Sequence, residues 1–129
     1  MKIAIIGFGN MGQTYANSFM SSGFVGASDI LILNKTTIEE KNSFGIDIVN
    51  FFTKPSSKIF ESDILILAVK PQDFKQLASE IKPFLNPNHV VLSVMAGISI
   101  EMMQQELGVS KIVRSMPNIP TQIGEGMTV

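Results

Sequence analysis

Uncharged apolar runs recur along the chain, separated by stretches long enough to hold a helix and its connections. Residues 3–6 (Ile-Ala-Ile-Ile), 30–33 (Ile-Leu-Ile-Leu), 64–69 (Ile-Leu-Ile-Leu-Ala-Val) and 90–95 (Val-Val-Leu-Ser-Val-Met) are short and rich in β-branched side chains. Each reads as a strand buried on both faces, the kind found in parallel sheets. Ile46-Asp47-Ile48-Val49 alternates and reads as a shorter third strand, and residues 111–116 as a sixth. Between these runs the period changes to that of a helix. Met11, Tyr15, Ala16, Phe19 and Met20 share one helical face, and Phe74, Leu77, Ala78 and Ile81 fall at i, i+3, i+4 and i+7.

Punctuation supports the division. Gly23 suits the left-handed position after the first helix, with Phe24 folding back as its apolar contact. Thr37-Ile38-Glu39-Glu40 has the form of a capping box for a helix stopping near Phe44-Gly45. Pro71 ends one strand and opens the next helix. A short helix is expected from Ile100 to Leu107, ended by Gly108. His89 falls in the turn Asn86-Pro87-Asn88-His89 and reads as a surface residue. Residues 51–60 show no clear period, although Pro55-Ser56-Ser57 suggests a turn or helix start, and residues 127–129 look like the beginning of another strand. Strands alternating with helices predict an α/β fold, a doubly wound and mainly parallel sheet with right-handed crossovers.

Composition narrows the class. A chain of 129 residues is one domain's worth, and 45% hydrophobic against 16% charged residues marks it as globular. A net charge of −1 gives no basic field for nucleic acid. The absence of cysteine excludes a disulfide, a thiol nucleophile and a thiolate metal site, and a single histidine excludes His-pair zinc patterns. No metal is expected. Apolar runs of about six residues are too short to span a membrane, and no signal peptide precedes the first strand, so a cytoplasmic protein is expected.

The first strand runs straight into Gly7-x-Gly9-x-x-Gly12, and a helix follows. In that context each glycine has a task. Gly7 permits the tight turn, Gly9 lets a pyrophosphate approach the backbone, and Gly12 allows close helix–strand packing. The free N–H groups of the first helical turn then face the phosphates. A Rossmann-like NAD(P)-binding domain over residues 1–129 is the expectation. Ligands of such sheets lie beyond the carboxyl ends of the strands. The candidate site is therefore Ile6, Gly7, Phe8, Gly9, Asn10, Met11 and Gly12, with Asn34–Thr36, Lys70–Gln72, Ala96–Gly97 and Pro117–Asn118.

Asn34 lies 22 residues beyond Gly12, where NAD-specific domains usually carry an acid for the ribose hydroxyls. A neutral Asn34 followed by Lys35 and Thr36 tolerates a 2′-phosphate, and Lys35 can pair with it. This favours NADP, with NADPH preferred and NAD possible; alternatively Lys35 is a solvated lysine at the start of a helix.

Together these segments resemble pyrroline-5-carboxylate reductase. The matching pieces are residues 6–12, Asn34-Lys35-Thr36, Leu67-Ala68-Val69-Lys70-Pro71-Gln72, Met95-Ala96-Gly97-Ile98-Ser99, and Val113-Arg114-Ser115-Met116-Pro117-Asn118-Ile119-Pro120 with Gly124-Glu125-Gly126-Met127-Thr128. The resemblance implies hydride transfer from NAD(P)H to the C=N carbon of Δ1-pyrroline-5-carboxylate, giving L-proline. It implies that Ala68, Val69, Lys70, Pro71, Ala96 and Gly97 line the ribose and nicotinamide side, and that Met116, Pro117 and Asn118 border the nicotinamide. Lys70 could act as a general acid or support the cofactor; Arg114 reads as structural. This sequence departs from the family in having Lys35 where an arginine is general. It also lacks the C-terminal helical domain that forms the dimer and closes the substrate pocket. The chain thus resembles the cofactor domain of a larger, homo-oligomeric enzyme. Other oxidoreductases sharing the domain, such as deazaflavin-dependent NADP reductases or hydroxyacid dehydrogenases, are the alternative, as is a non-catalytic nucleotide-binding relative.

Overall fold

A computed structural model describes residues 1–36 and 45–114. Their strands are β1 (Ile3–Ile6), β2 (Ile30–Leu33), β3 (Phe51–Phe52), β4 (Ile64–Leu67), β5 (Val90–Ser93) and β6 (Ile112–Arg114). The helices are α1 (Asn10–Ser21), α2 (Phe74–Ile81) and α3 (Ile100–Leu107). All strand pairs are parallel, in the order β3-β2-β1-β4-β5-β6. The chain winds outward from β1 in one direction and then, from β4, in the other. This is the doubly wound order expected of a Rossmann-like domain, and the reversal leaves a crevice beside the end of β1.

The uncharged runs are explained by two cores. Ala4 and Ile6 of β1 pack with Phe74, Leu77, Ala78 and Ile81 of α2 and Met103 and Leu107 of α3. Ile3 and Ile5 point the other way, into a cluster with Tyr15, Ala16 and Phe19 of α1. Successive strand residues face opposite sides, so a strand covered on both must be apolar throughout. Burying a side chain such as Phe19 or Phe74 contributes about 1.5–3 kcal/mol.

Helix ends follow the local chemistry. After α1, Gly23 takes φ +76°, its N–H donates to the Met20 carbonyl, and the Phe24 N–H donates to that of Phe19. The Phe19 and Phe24 rings lie 5.4 Å apart, which completes a Schellman-type stop. Pro71 occupies the first position of a short 3-10 turn that leads into α2. Ser99 caps α3 by accepting the Met102 N–H at 3.1 Å, and Gly108 closes it at φ +74°. The capping box at residues 37–40 and the helix expected from it lie outside the described residues, as does the strand expected at 127–129.

Two expectations fail. The third strand is not Ile46-Asp47-Ile48-Val49 but Phe51–Phe52, paired with Ile32 and Leu33. Asp47 accepts the Val49 N–H at 3.1 Å and caps a 3-10 turn at Ile48–Asn50. That local bond diverts the backbone from a sheet ladder, and Ile48 and Val49 stay exposed. His89, expected at the surface, is buried. Its Nδ1 accepts the Asn86 N–H at 3.1 Å, which leaves the proton on Nε2 to donate to the Phe60 carbonyl at 2.7 Å. The turn before β5 is thereby tied to the segment before β4.

His89→Phe retains a planar ring but removes both bonds, leaving the buried Phe60 carbonyl without this donor and the Asn86 N–H without this acceptor. A loss of about 1–3 kcal/mol is expected in urea unfolding of the chain; an unchanged midpoint would show that the two bonds contribute nothing net.

Candidate functional site

The ends of three central strands meet at the glycine turn. The Gly7 N–H donates to the Leu33 carbonyl at 2.8 Å, and the Ala68 N–H to that of Ile6 at 2.8 Å. Gly7 has φ +98°, and a Cβ there would stand 2.8 Å from the Ala68 carbonyl oxygen. A side chain is excluded both by conformation and by space. At Gly12 a Cβ would come within 2.0 Å of the Gly7 carbonyl oxygen, so the first turn of α1 lies directly against the end of β1.

Gly9 differs. It is the N-cap of α1, provides no side-chain cap, and a Cβ there would meet nothing within 4 Å. The first N–H groups of a helix have no acceptor within it, and a Cβ at the N-cap Gly9 beside them would enter open space. That end of the helix is electropositive.

The space is a cleft of about 270 Å³. Ile6, Gly7, Phe8 and Gly9 border it from the turn, Asn34, Lys35 and Thr36 from the end of β2, and Ala68, Val69 and Lys70 from the end of β4. Asn10, Met11 and Gly12 continue into α1, and Pro71 begins the turn into α2; none of these borders the cleft. Ala96 and Gly97 are exposed beyond β5, also outside its lining. Asn118 lies outside the described residues, together with Met116 and Pro117.

Leu33, Thr53, Pro55, Asp73, Leu77 and Glu80 complete the lining. None was expected there. Thr53 and Pro55 follow β3, so the rule that sites lie beyond strand ends would have found them had β3 been placed correctly. Asp73 and Glu80 are seven residues apart, two helical turns, and therefore share a face with Leu77. Two lysines and two carboxylates thus border one cleft.

Asn34 is engaged by the protein itself. Its Oδ1 accepts the Phe8 N–H at 2.9 Å. Its Nδ2 donates to the Thr36 carbonyl at 3.0 Å and the Thr36 hydroxyl at 3.1 Å. Gln13, on α1, donates from Nε2 to the Phe8 carbonyl at 2.9 Å. Phe8 is buried, with its ring edge-on to Phe51 at 5.4 Å.

With no cysteine in the chain and its one histidine held at Phe60 and Asn86, the cleft offers hydrogen bonds and charge rather than a thiol or imidazole nucleophile. Among the described residues, no group of three or more His, Cys, Asp or Glu side chains gathers to hold a metal ion. No helix of the described residues is long and apolar enough to cross a membrane.

A pyrroline-5-carboxylate reductase from Aquifex aeolicus is 35% identical over 129 residues, covering 98% of the chain and 46% of that protein. The chain thus spans about half the length of the curated relatives it matches. A pyrroline-5-carboxylate reductase structure from Coxiella burnetii superimposes with a TM-score of 0.76 at 26% identity, covering 95% of the chain and 46% of that structure. The fold is shared with a Plasmodium falciparum pyrroline carboxylate reductase solved with NADP bound, at a TM-score of 0.72 and 20% identity over 88% of the chain and 41% of that structure. Residues 2–97 match the family described as NADP oxidoreductase coenzyme F420-dependent, and the chain belongs to that family.

Proposed function

We propose that this chain is the NAD(P)-binding domain of a pyrroline-5-carboxylate reductase. The observation that carries the reading is the open position at Gly9, where the uncapped start of α1 meets the cleft. A diphosphate needs backbone donors and no intervening side chain, and this turn offers both. The names of the relatives matching along the whole chain support the substrate class.

The backbone amides that follow Gly9 at the cleft's edge, those of Asn10, Met11 and Gly12 just beyond its lining, bind the pyrophosphate. Lys35 and Thr36 face the adenosine ribose, and Lys35 pairs with a 2′-phosphate, so NADPH is favoured over NADH. Ala68, Val69, Lys70 and Pro71 border the ribose towards the nicotinamide, and Ala96, Gly97 and Asn118 belong to the nicotinamide side. When bound, NADPH supplies a hydride to the imine carbon of Δ1-pyrroline-5-carboxylate, while nitrogen takes a proton, giving L-proline. The domain's contribution is positioning, because transfer requires reacting atoms held about 3–3.5 Å apart. The whole protein is proposed to be a cytoplasmic homo-oligomer. Its substrate pocket is completed outside this chain, which alone binds nucleotide and turns over poorly. A second reading rests on the family description, which names coenzyme F420, a deazaflavin that exchanges hydride with NADP. NADPH oxidation by the full-length protein with pyrroline-5-carboxylate, compared with the oxidised deazaflavin, separates the two.

Calorimetric titration tests the cofactor site. The chain is expected to bind NADPH more tightly than NADH, and binding of neither would end the dinucleotide reading. Gly9→Ala keeps the unfolding midpoint but weakens NADPH about tenfold or more, since a methyl group enters the phosphate path. Gly12→Ala instead lowers stability by about 1–3 kcal/mol through overpacking against Gly7. Lys35→Ala weakens NADPH by about three- to tenfold and leaves NADH unchanged; equal losses for both would remove the 2′-phosphate role.

A further inference from the structure

We propose that Asn34 is a positioning residue rather than a ribose ligand: its amide clamps the loop after β2 to the glycine turn, so that the pyrophosphate and adenosine ends of the cleft keep one relative geometry. The proposal rests on the cleft being the dinucleotide site.

Three polar contacts of the Asn34 amide are satisfied within the protein. Oδ1 holds the Phe8 N–H, and Nδ2 holds both oxygens of Thr36. The Asn34 backbone N–H donates to the Phe52 carbonyl at 2.9 Å, so the residue itself is fixed to the sheet. A trans peptide points its N–H and C=O in opposite directions. Holding the Phe8 N–H therefore turns the Gly7 carbonyl the other way, towards α1, where it closes against Gly12. In the next peptide, Gln13 holds the Phe8 carbonyl, which directs the Gly9 N–H away from Gln13. The orientation of the turn's amides is thus set by side chains, one of them at the first residue after β2.

The donor side of the clamp distinguishes asparagine from the acid common at this position in NAD-specific domains. A carboxylate could accept the Phe8 N–H, but its other oxygen would oppose the Thr36 carbonyl, an acceptor with no proton to give. An acid at position 34 would then force the Lys35–Thr36 segment away. In this chain the amide is required by the loop, and Lys35 reaches the cleft because its neighbours on both sides are bonded to each other.

The test compares the chain with Asn34→Asp, Asn34→Ala and Asn34→Ala/Lys35→Ala by titration with NADPH and NADH, after thermal unfolding has established that each is folded. A clamp predicts that Asn34→Asp weakens both nucleotides by about tenfold. A ribose ligand predicts tighter NADH binding, and NADH binding that is unchanged or tighter overturns the proposal. Lys35→Ala should cost NADPH less than twofold in the Asn34→Ala background, against its larger effect in the parent; the full effect in both backgrounds also overturns it. A purely structural role would not produce this non-additivity. Amide exchange in the unmutated chain gives a measurement independent of variant folding: the Phe8 N–H should be protected, and the Asn10 N–H should exchange rapidly without nucleotide. Equal, rapid exchange at both contradicts the clamp. Failure of the unmutated chain to bind either nucleotide overturns the cofactor reading and the clamp's role in it, whereas binding with additive losses overturns the clamp alone.

Discussion

The structure depends on one close approach, that of Gly12 to the carbonyl of Gly7, where a single methyl group would leave only 2.0 Å. Because the backbones touch there, α1 begins over the end of β1 instead of standing off by a side chain's width. The direction of the helix then places Tyr15, Ala16 and Phe19 on the sheet face that carries Ile3 and Ile5. The same contact brings the uncapped start of α1 to the crevice between the two halves of the sheet. Packing and ligand geometry thus share one steric condition.

Around that contact, sheet and loops divide the labour. The parallel strands of the described residues are short, four residues at most. The central ones, β1, β2, β4 and β5, are buried between helices on both faces, whereas the edge strands β3 and β6 are only partly covered. Such a core is rigid because it is close-packed. Polar and charged groups collect where the strands end, at Asn34–Thr36, Thr53, Lys70 and Asp73. Several of these serve the protein before they serve any ligand. Asn34 and Gln13 hold the Phe8 peptide groups, and preorganised donors bind without the cost of ordering them at the moment of association.

Much of this was readable from the residues. Uncharged runs identified β1, β2, β4 and β5 because burial on both faces leaves no room for polar alternation. Gly23 with Phe24, and Leu107 with Gly108, marked helix ends through local conformational preference alone. The failures share another cause. At Ile46–Val49 a period-two pattern was overridden by one hydrogen bond from the Asp47 carboxylate to the Val49 N–H. His89 looked exposed because turns usually are, yet its two nitrogens match a donor in its own turn, the Asn86 N–H, and an acceptor far along the chain, the Phe60 carbonyl. Asn34 was legible as a member of the cleft but not as a clamp, since its partners Phe8 and Thr36 meet only in the folded chain. Thr53 and Pro55 were lost with the misplaced strand, and Glu80 because one helix face was read only for its apolar residues.

Amide chemical shifts of the isotopically labelled chain during NADPH titration test the phosphate cradle most directly. The largest changes should fall on Gly9, Asn10, Met11 and Gly12, with smaller ones at residues 34–36 and 68–70. Saturable changes confined to other surfaces, such as α3 and the turn before β5, would contradict a dinucleotide site at the start of α1.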